Sequence, residues 1–143
     1  MSDIIESDPY EEVSYFRSGS IGTENYYATG KISIPFFSKD EPFLMVHTDG
    51  VKEMAAEMEA FWIIDYVNSH VSTCLKIYKE KDSNLFVFRF HPRENKSLEV
   101  IIEEGNWVDC GGEILDYSDL KQPVQVWASF SDGCFVIYMP EEH

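Results

Sequence analysis

The strongest constraint on this chain is a change of hydrophobic period part-way along it. From Cys74 onward, apolar residues recur at every second position in short runs. These are CLKIYKE (74–80), LFVFRFHP (85–92), LEVIIEE (98–104), VQVWASF (124–130) and CFVIYMP (134–140). Side chains on a strand alternate between its two faces, so this pattern predicts half-buried strands. Phe86, Phe88 and Phe90 then share one face, which core packing explains better than a base-stacking platform, since only Arg89 and Arg93 stand near it. Leu98, Val100 and Ile102 point inward while Glu99 and Glu103 point out. The links KDSN and SDG read as hairpin turns, the second a three-residue loop with Gly133 available for positive φ. Short links predict that strands adjacent in sequence pair with each other. Residues 105–123 read as a loop with some short structure.

Upstream, the period is helical. Between FLMVH (43–47), a buried strand, and residue 71, Met54, Ala55, Met58, Phe61 and Trp62 lie on one helical face. Ala60, Ile63, Ile64, Val67 and Val71 form a second, out-of-phase face. One buried helix or two helices broken near Glu59 would both produce this, and the phase change favours the break. Thr48 or Asp49 supplies an N-cap. KISIPFF (31–37) reads as a short strand that Pro35 confines to an edge or to its own end. The expected fold is α+β: a mostly antiparallel sheet of five to seven strands, with one long or two short helices (about 49–71) packed on one face. Residues 1–13 read as an acidic, flexible tail and residues 14–143 as a single domain.

Charge narrows the partners. Twenty-six Asp and Glu face eleven Lys and Arg, a formal charge of −15. Asp3, Glu6, Asp8, Glu11 and Glu12 all precede the first base, Arg17. A second run, Glu99, Glu103, Glu104, Asp109, Glu113, Asp116 and Asp119, contains no Lys or Arg. Such a surface repels phosphates, so direct contact with nucleic acid or an anionic membrane is not expected, and a basic protein is the expected partner.

Other functional classes find no support. Cys74, Cys110 and Cys134 are odd in number and widely spaced, which predicts neither a disulfide framework nor structural zinc. No metal or other cofactor is expected from the four histidines, because His47-x-Asp49 is a poor ligand motif and the others lie apart. No phosphate-binding loop, dinucleotide glycine pattern or nucleophile elbow occurs, so no catalytic residue is assigned. The acidic N-terminus does not look like a secretory signal, no apolar run approaches the ~20 residues of a membrane span, and a cytoplasmic protein is expected.

Three motifs in the first half stand out: GTENYY (22–27), HTDGVKEMA (47–55) and FWIIDYV (61–67). In that order they resemble a family of small uncharacterised proteins, a domain of unknown function, from bacteria and their phages and plasmids. The similarity extends to a β-rich second half and to the tail MPEEH, and the chain departs from the family in its long acidic N-terminus and its acidic 97–119 region. The resemblance implies a phage or mobile-element setting and no catalytic residue. Thr23, Glu24, Asn25, Tyr26 and Tyr27 carry more hydrogen-bonding groups than a scaffold needs, and Asp65 interrupts an apolar helix face. Two roles are open for these residues with Thr48, Asp49, Trp62 and Asp65. They latch the entering chain onto the helix through Asp65, or they line a pocket for a small molecule or nucleotide, in a hydrolase for example. The leading functional expectation is a non-catalytic acidic protein that binds a basic surface on a host protein. An inhibitor of a nucleic-acid-handling or defence protein would be one such case.

Overall fold

A computed structural model describes the backbone of residues 11–13, 26–33, 42–105, 109–131 and 134–142, and side chains within 45–105, 111–130 and 134–142. Among the described residues eight strands form one sheet. They are β1 (Glu11–Val13), β2 (Tyr26–Ser33), β3 (Pro42–Thr48), β4 (Phe86–Pro92), β5 (Leu98–Glu104), β6 (Asp109–Leu115), β7 (Val124–Ser131) and β8 (Cys134–Tyr138). Three helices follow β3: α1 (Asp49–Met58), α2 (Trp62–Asn68) and α3 (Val71–Lys81). The sheet order is β1-β2-β3-β8-β7-β4-β5-β6, open at β1 and β6 rather than closed into a barrel. Every adjacent pair is antiparallel except β3 with β8. The fold is therefore α+β with a mostly antiparallel sheet and helices on one face.

Sequential pairing holds for β4-β5-β6 and for β7-β8, but β7 inserts beside β4 and β8 runs parallel to β3. The reason is burial on both faces. β8 is buried at all five positions, so it needs a neighbour on each side and cannot end a hairpin at the sheet edge. Ser131 pairs with Cys134, so the β7–β8 turn has two residues, not three; Asp132 and Gly133 themselves lie outside the described residues.

The helical break falls at Glu59, the left-handed C-cap of α1 (φ 55°, ψ 45°), whose N–H returns to Ala55 and Ala56 carbonyls. Three further expectations fail. CLKIYKE is not a strand but most of α3, and KDSN leads from that helix into β4 rather than joining two strands. Val71, Cys74 and Leu75 are buried, at i, i+3 and i+4, and Lys79 and Lys81 sit in the last turn, where the helix dipole favours cations. The alternation Leu75–Ile77 mimicked a strand only because Ile77 and Tyr78 are half-buried at the helix flank. β6 arises inside a segment read as loop, and β1 inside the segment read as tail, where Glu11–Val13 pair with Tyr26–Ala28.

The main core lies between helices and sheet. Phe86, Phe88 and Phe90 are fully buried there, with Val126, Ala128, Phe135 and Ile137 from the adjoining strands. Trp62 and Tyr66 set ring edges on Phe90 at 5.9 and 5.7 Å, and Tyr78 stacks on Phe130 at 5.2 Å. Such contacts orient α2 and α3 beyond what area burial alone does. On the opposite face, Val46, Cys134, Val136 and Tyr138 form a second cluster with Leu85 and Trp127. Among the described residues no helix is long and apolar enough to cross a membrane.

Candidate functional site

The TDG motif begins α1 and has its own occupant. Thr48 is fully buried with an extended backbone, and its hydroxyl oxygen accepts the Val51 N–H at 3.4 Å, the expected N-cap. The same hydroxyl donates to Glu142 Oε1 at 2.7 Å, and the Met139 N–H donates to that oxygen at 2.8 Å. Glu142 belongs to the short 3-10 turn Pro140–Glu142, which folds back after β8. A Cβ added to Gly50 would lie 2.7–2.9 Å from the Glu142 carboxylate. The glycine thus admits a negative charge to the first turn of α1, where free N–H groups and the helix dipole favour it. Two of the motifs, TDG and the PEE of the tail, are in this way one contact.

The described candidates from the first half fall in two places. Tyr26 and Tyr27 are not in a loop before the first strand. They start β2 and pair with Thr48 and His47 of β3. Thr23, Glu24 and Asn25 lie outside the described residues. Trp62 packs on Phe90 of β4, four strands along from β2, or roughly 19 Å at the usual strand spacing. Asp65 is exposed one turn further on, and Asp49 is half-buried at the start of α1. The sheet order therefore puts Tyr26 beside Thr48 but sets both apart from Trp62 and Asp65.

Trp62 meets a different set of residues. Between the α1–α2 turn and the chain leaving β6 lie two adjoining clefts. One, of about 260 Å³, is lined by Glu59, Trp62, Leu115, Tyr117, Ser118 and Asp119. The other, of about 440 Å³, shares Glu59 and Asp119 and adds Glu57, Met58, Lys121 and Gln122. Tyr117 is 64% exposed and donates its hydroxyl to Asp119 Oδ1 at 2.6 Å. That hydrogen bond, with the Asp119 charge, raises the tyrosine pKa. Next along, Tyr66 of α2 donates to Glu113 Oε2 of β6 at 2.6 Å. Burial first, and then the Glu113 hydrogen bond and charge, push its phenol well above the ordinary range. The Ser118 hydroxyl is engaged by the Leu120 N–H at 3.0 Å. Carboxylates beside flat aromatic faces suit a cationic group, since both attract positive charge.

The predicted acidic surface divides. Asp3, Glu6 and Asp8 lie outside the described residues, and Glu11 and Glu12 sit on β1, at the opposite edge of the sheet from β6. Glu99 and Glu103 are half-buried on the face away from the helices, and Glu103 is bridged by Arg89 at 3.0 Å. Glu104 must be removed from the surface: it is 3% exposed and accepts the Ser83 hydroxyl at 2.6 Å. Strand alternation puts it on the same face as Leu98, Val100 and Ile102, a parity the paired GluGlu concealed. Glu113, Asp116 and Asp119 are exposed, and Asp109 opens β6. Glu57, Glu59 and Tyr117 went unrecognised in the sequence. The phase change that marked the helix break near Glu59 was the one signal that could have flagged that residue, since a chain-reversing position is exposed.

Among the described residues no group of three or more His, Cys, Asp and Glu is placed to hold a metal ion. No curated protein and no solved structure matches the chain. A family model does match, over residues 20–143, a span that holds the cleft, β6 and the Thr48–Glu142 contact, and the chain belongs to that family of unknown function, DUF6876.

Proposed function

We propose that this protein is a non-catalytic binder of a basic protein surface, and that the cleft between the α1–α2 turn and β6 is where it binds. The observation that carries this reading is the grouping of Glu57, Glu59 and Asp119 with Trp62 and Tyr117 around joined clefts of about 260 and 440 Å³. An arginine or lysine side chain gains carboxylate partners and an aromatic face there at once. The formal charge of −15 adds attraction at longer range. In the phage or mobile-element setting that the sequence resemblance implies, the partner is a host protein that handles nucleic acid, and occupying its basic surface inhibits it. The rival reading, a small-molecule pocket of GTENYY, Thr48–Asp49 and Trp62–Asp65, needs Tyr26 and Trp62 on one wall, and the strand order argues against that.

Titration calorimetry with a short oligoarginine peptide tests the proposal. Binding is expected at 50 mM salt, weakening at least tenfold by 300 mM as the charges are screened. Glu59→Gln with Asp119→Asn, both exposed sites, is expected to weaken it at least fivefold. Absence of binding at low salt, or an unchanged affinity in the double variant, overturns it.

A further inference from the structure

Among the described residues the sheet ends at β6, and none of them adds a further strand to its outer edge. Alternate residues of such a strand turn their N–H and C=O groups outward, where an extended chain can pair with them. The two exposed large hydrophobic residues among those described, Ile114 (56%) and Tyr117 (64%), are both at this edge or just beyond it. Gly111, Gly112 and Glu113 are exposed too. Paired residues share a face, so register assigns the sides of β6. Glu113 pairs with Val100 and Leu115 with Leu98, which places both on the helix side, next to the cleft. Ile114 pairs with Glu99 and lies on the other side.

Resting on the reading of a basic partner, we infer that the outer edge of β6 takes up an extended segment of that partner as an added strand, with cationic and apolar side chains in alternation. The cationic positions face Glu113 and the Glu59–Trp62–Asp119 cleft, and the apolar positions cover Ile114. Charge complementarity selects this occupant. Residues 99–120 hold seven carboxylates and no Lys or Arg. A second copy laid antiparallel against β6 and centred on Gly111 would set Asp109 against Glu113, and like charges facing each other across strands are destabilising. The register shift between Ile102 and Glu103 and the φ of 139° at Gly112 bend the edge as well, which further disfavours a flat self-pairing.

The probe is a blocked peptide alternating arginine with valine. It is compared with a peptide of the same composition in blocks, and with two versions N-methylated at either the arginine or the valine nitrogens. The alternating peptide is expected to bind at least tenfold tighter than the block peptide and to slow amide exchange across 112–115. One methylated version loses binding and the other keeps it, because only one set of N–H groups faces β6. Ile114→Lys, at an exposed site, is expected to weaken binding at least tenfold with unchanged melting. Equal binding by alternating and block peptides, or by both methylated versions, overturns the added strand and leaves the basic-partner reading standing. Silence from every basic peptide overturns both. A dimer in light scattering that the peptide dissociates means a second copy occupies the edge, and that result also overturns the inference.

Discussion

The contact between Glu142 and the start of α1 makes a prediction in which a substitution changes sign. Glu142 Oε1 accepts two hydrogen bonds, from Thr48 at 2.7 Å and from the Met139 N–H at 2.8 Å. Bonds to a charged acceptor are worth about 1.5–3 kcal/mol each when buried, and a charge at a helix N-terminus about 0.3–1 kcal/mol. Glu142 is only half-buried, so water recovers part of this, and Glu142→Ala is expected to cost about 2–3 kcal/mol. Glu142→Gln keeps an acceptor oxygen and loses the charge, costing about 1 kcal/mol. Gly50→Ala puts a methyl 2.7–2.9 Å from the carboxylate and forces it out, while alanine in a helix gains about 0.5–1 kcal/mol over glycine. Gly50→Ala is therefore expected to destabilise the native protein by about 1–2 kcal/mol and to stabilise the Glu142→Ala variant by about 0.5–1 kcal/mol. Urea unfolding of the four proteins of this cycle reads the difference directly. Gly50→Ala having the same effect in both backgrounds would refute the account of TDG as a seat for the Glu142 carboxylate.

Two further predictions concern the β6 edge. The Tyr66 phenol is raised by burial and then by Glu113, so the folded state holds its proton more tightly than the unfolded one. Its stabilising contribution is complete below the unfolded tyrosine pKa, about 10, and declines as pH rises above it. In an ultraviolet pH titration Tyr66 is expected to ionise after the ordinary tyrosines, and Glu113→Gln to lower its pKa only in part, because burial remains; a return to the ordinary value would contradict that ranking of causes. Gly112 has φ 139°, and an added Cβ would meet the Val100 carbonyl oxygen. Gly112→Ala is expected to cost more than about 2 kcal/mol by chemical denaturation, against less than about 0.5 kcal/mol for an ordinary exposed site.

Much of the architecture could be read from period and turn chemistry, because those are local. Phe86, Phe88 and Phe90 face the helices because successive strand residues alternate, and no tertiary information was needed to group them. The helix break at Glu59 showed as a phase change between Met58 and Ala60. Where two periods overlap, local reading fails. Val71, Cys74 and Leu75 follow a helical spacing while Leu75 and Ile77 alternate, and packing under the sheet decided for α3. Glu104 was misplaced for a different reason. The alternation that turned Leu98, Val100 and Ile102 inward already put Glu104 on their face, and its charge, which favours solvent, hid that parity until Ser83 was seen to satisfy it.

The sequence by itself determined the class of the fold, a helix start at Thr48 or Asp49, the strongly acidic character and the positions of most strands. Each follows from spacing along the chain or from composition. Only the tertiary structure decided strand order, with β8 brought beside β3 and β6 left as an edge, because burial on both faces is a property of neighbours distant in sequence. The same long-range pairing joined Thr48 to Glu142 and Trp62 to Tyr117, and it set Tyr26 and Tyr27 beside β3 rather than at the cleft. A site assembled from segments 55 or 94 residues apart leaves no local periodicity, since its parts meet only after the sheet has closed over its core.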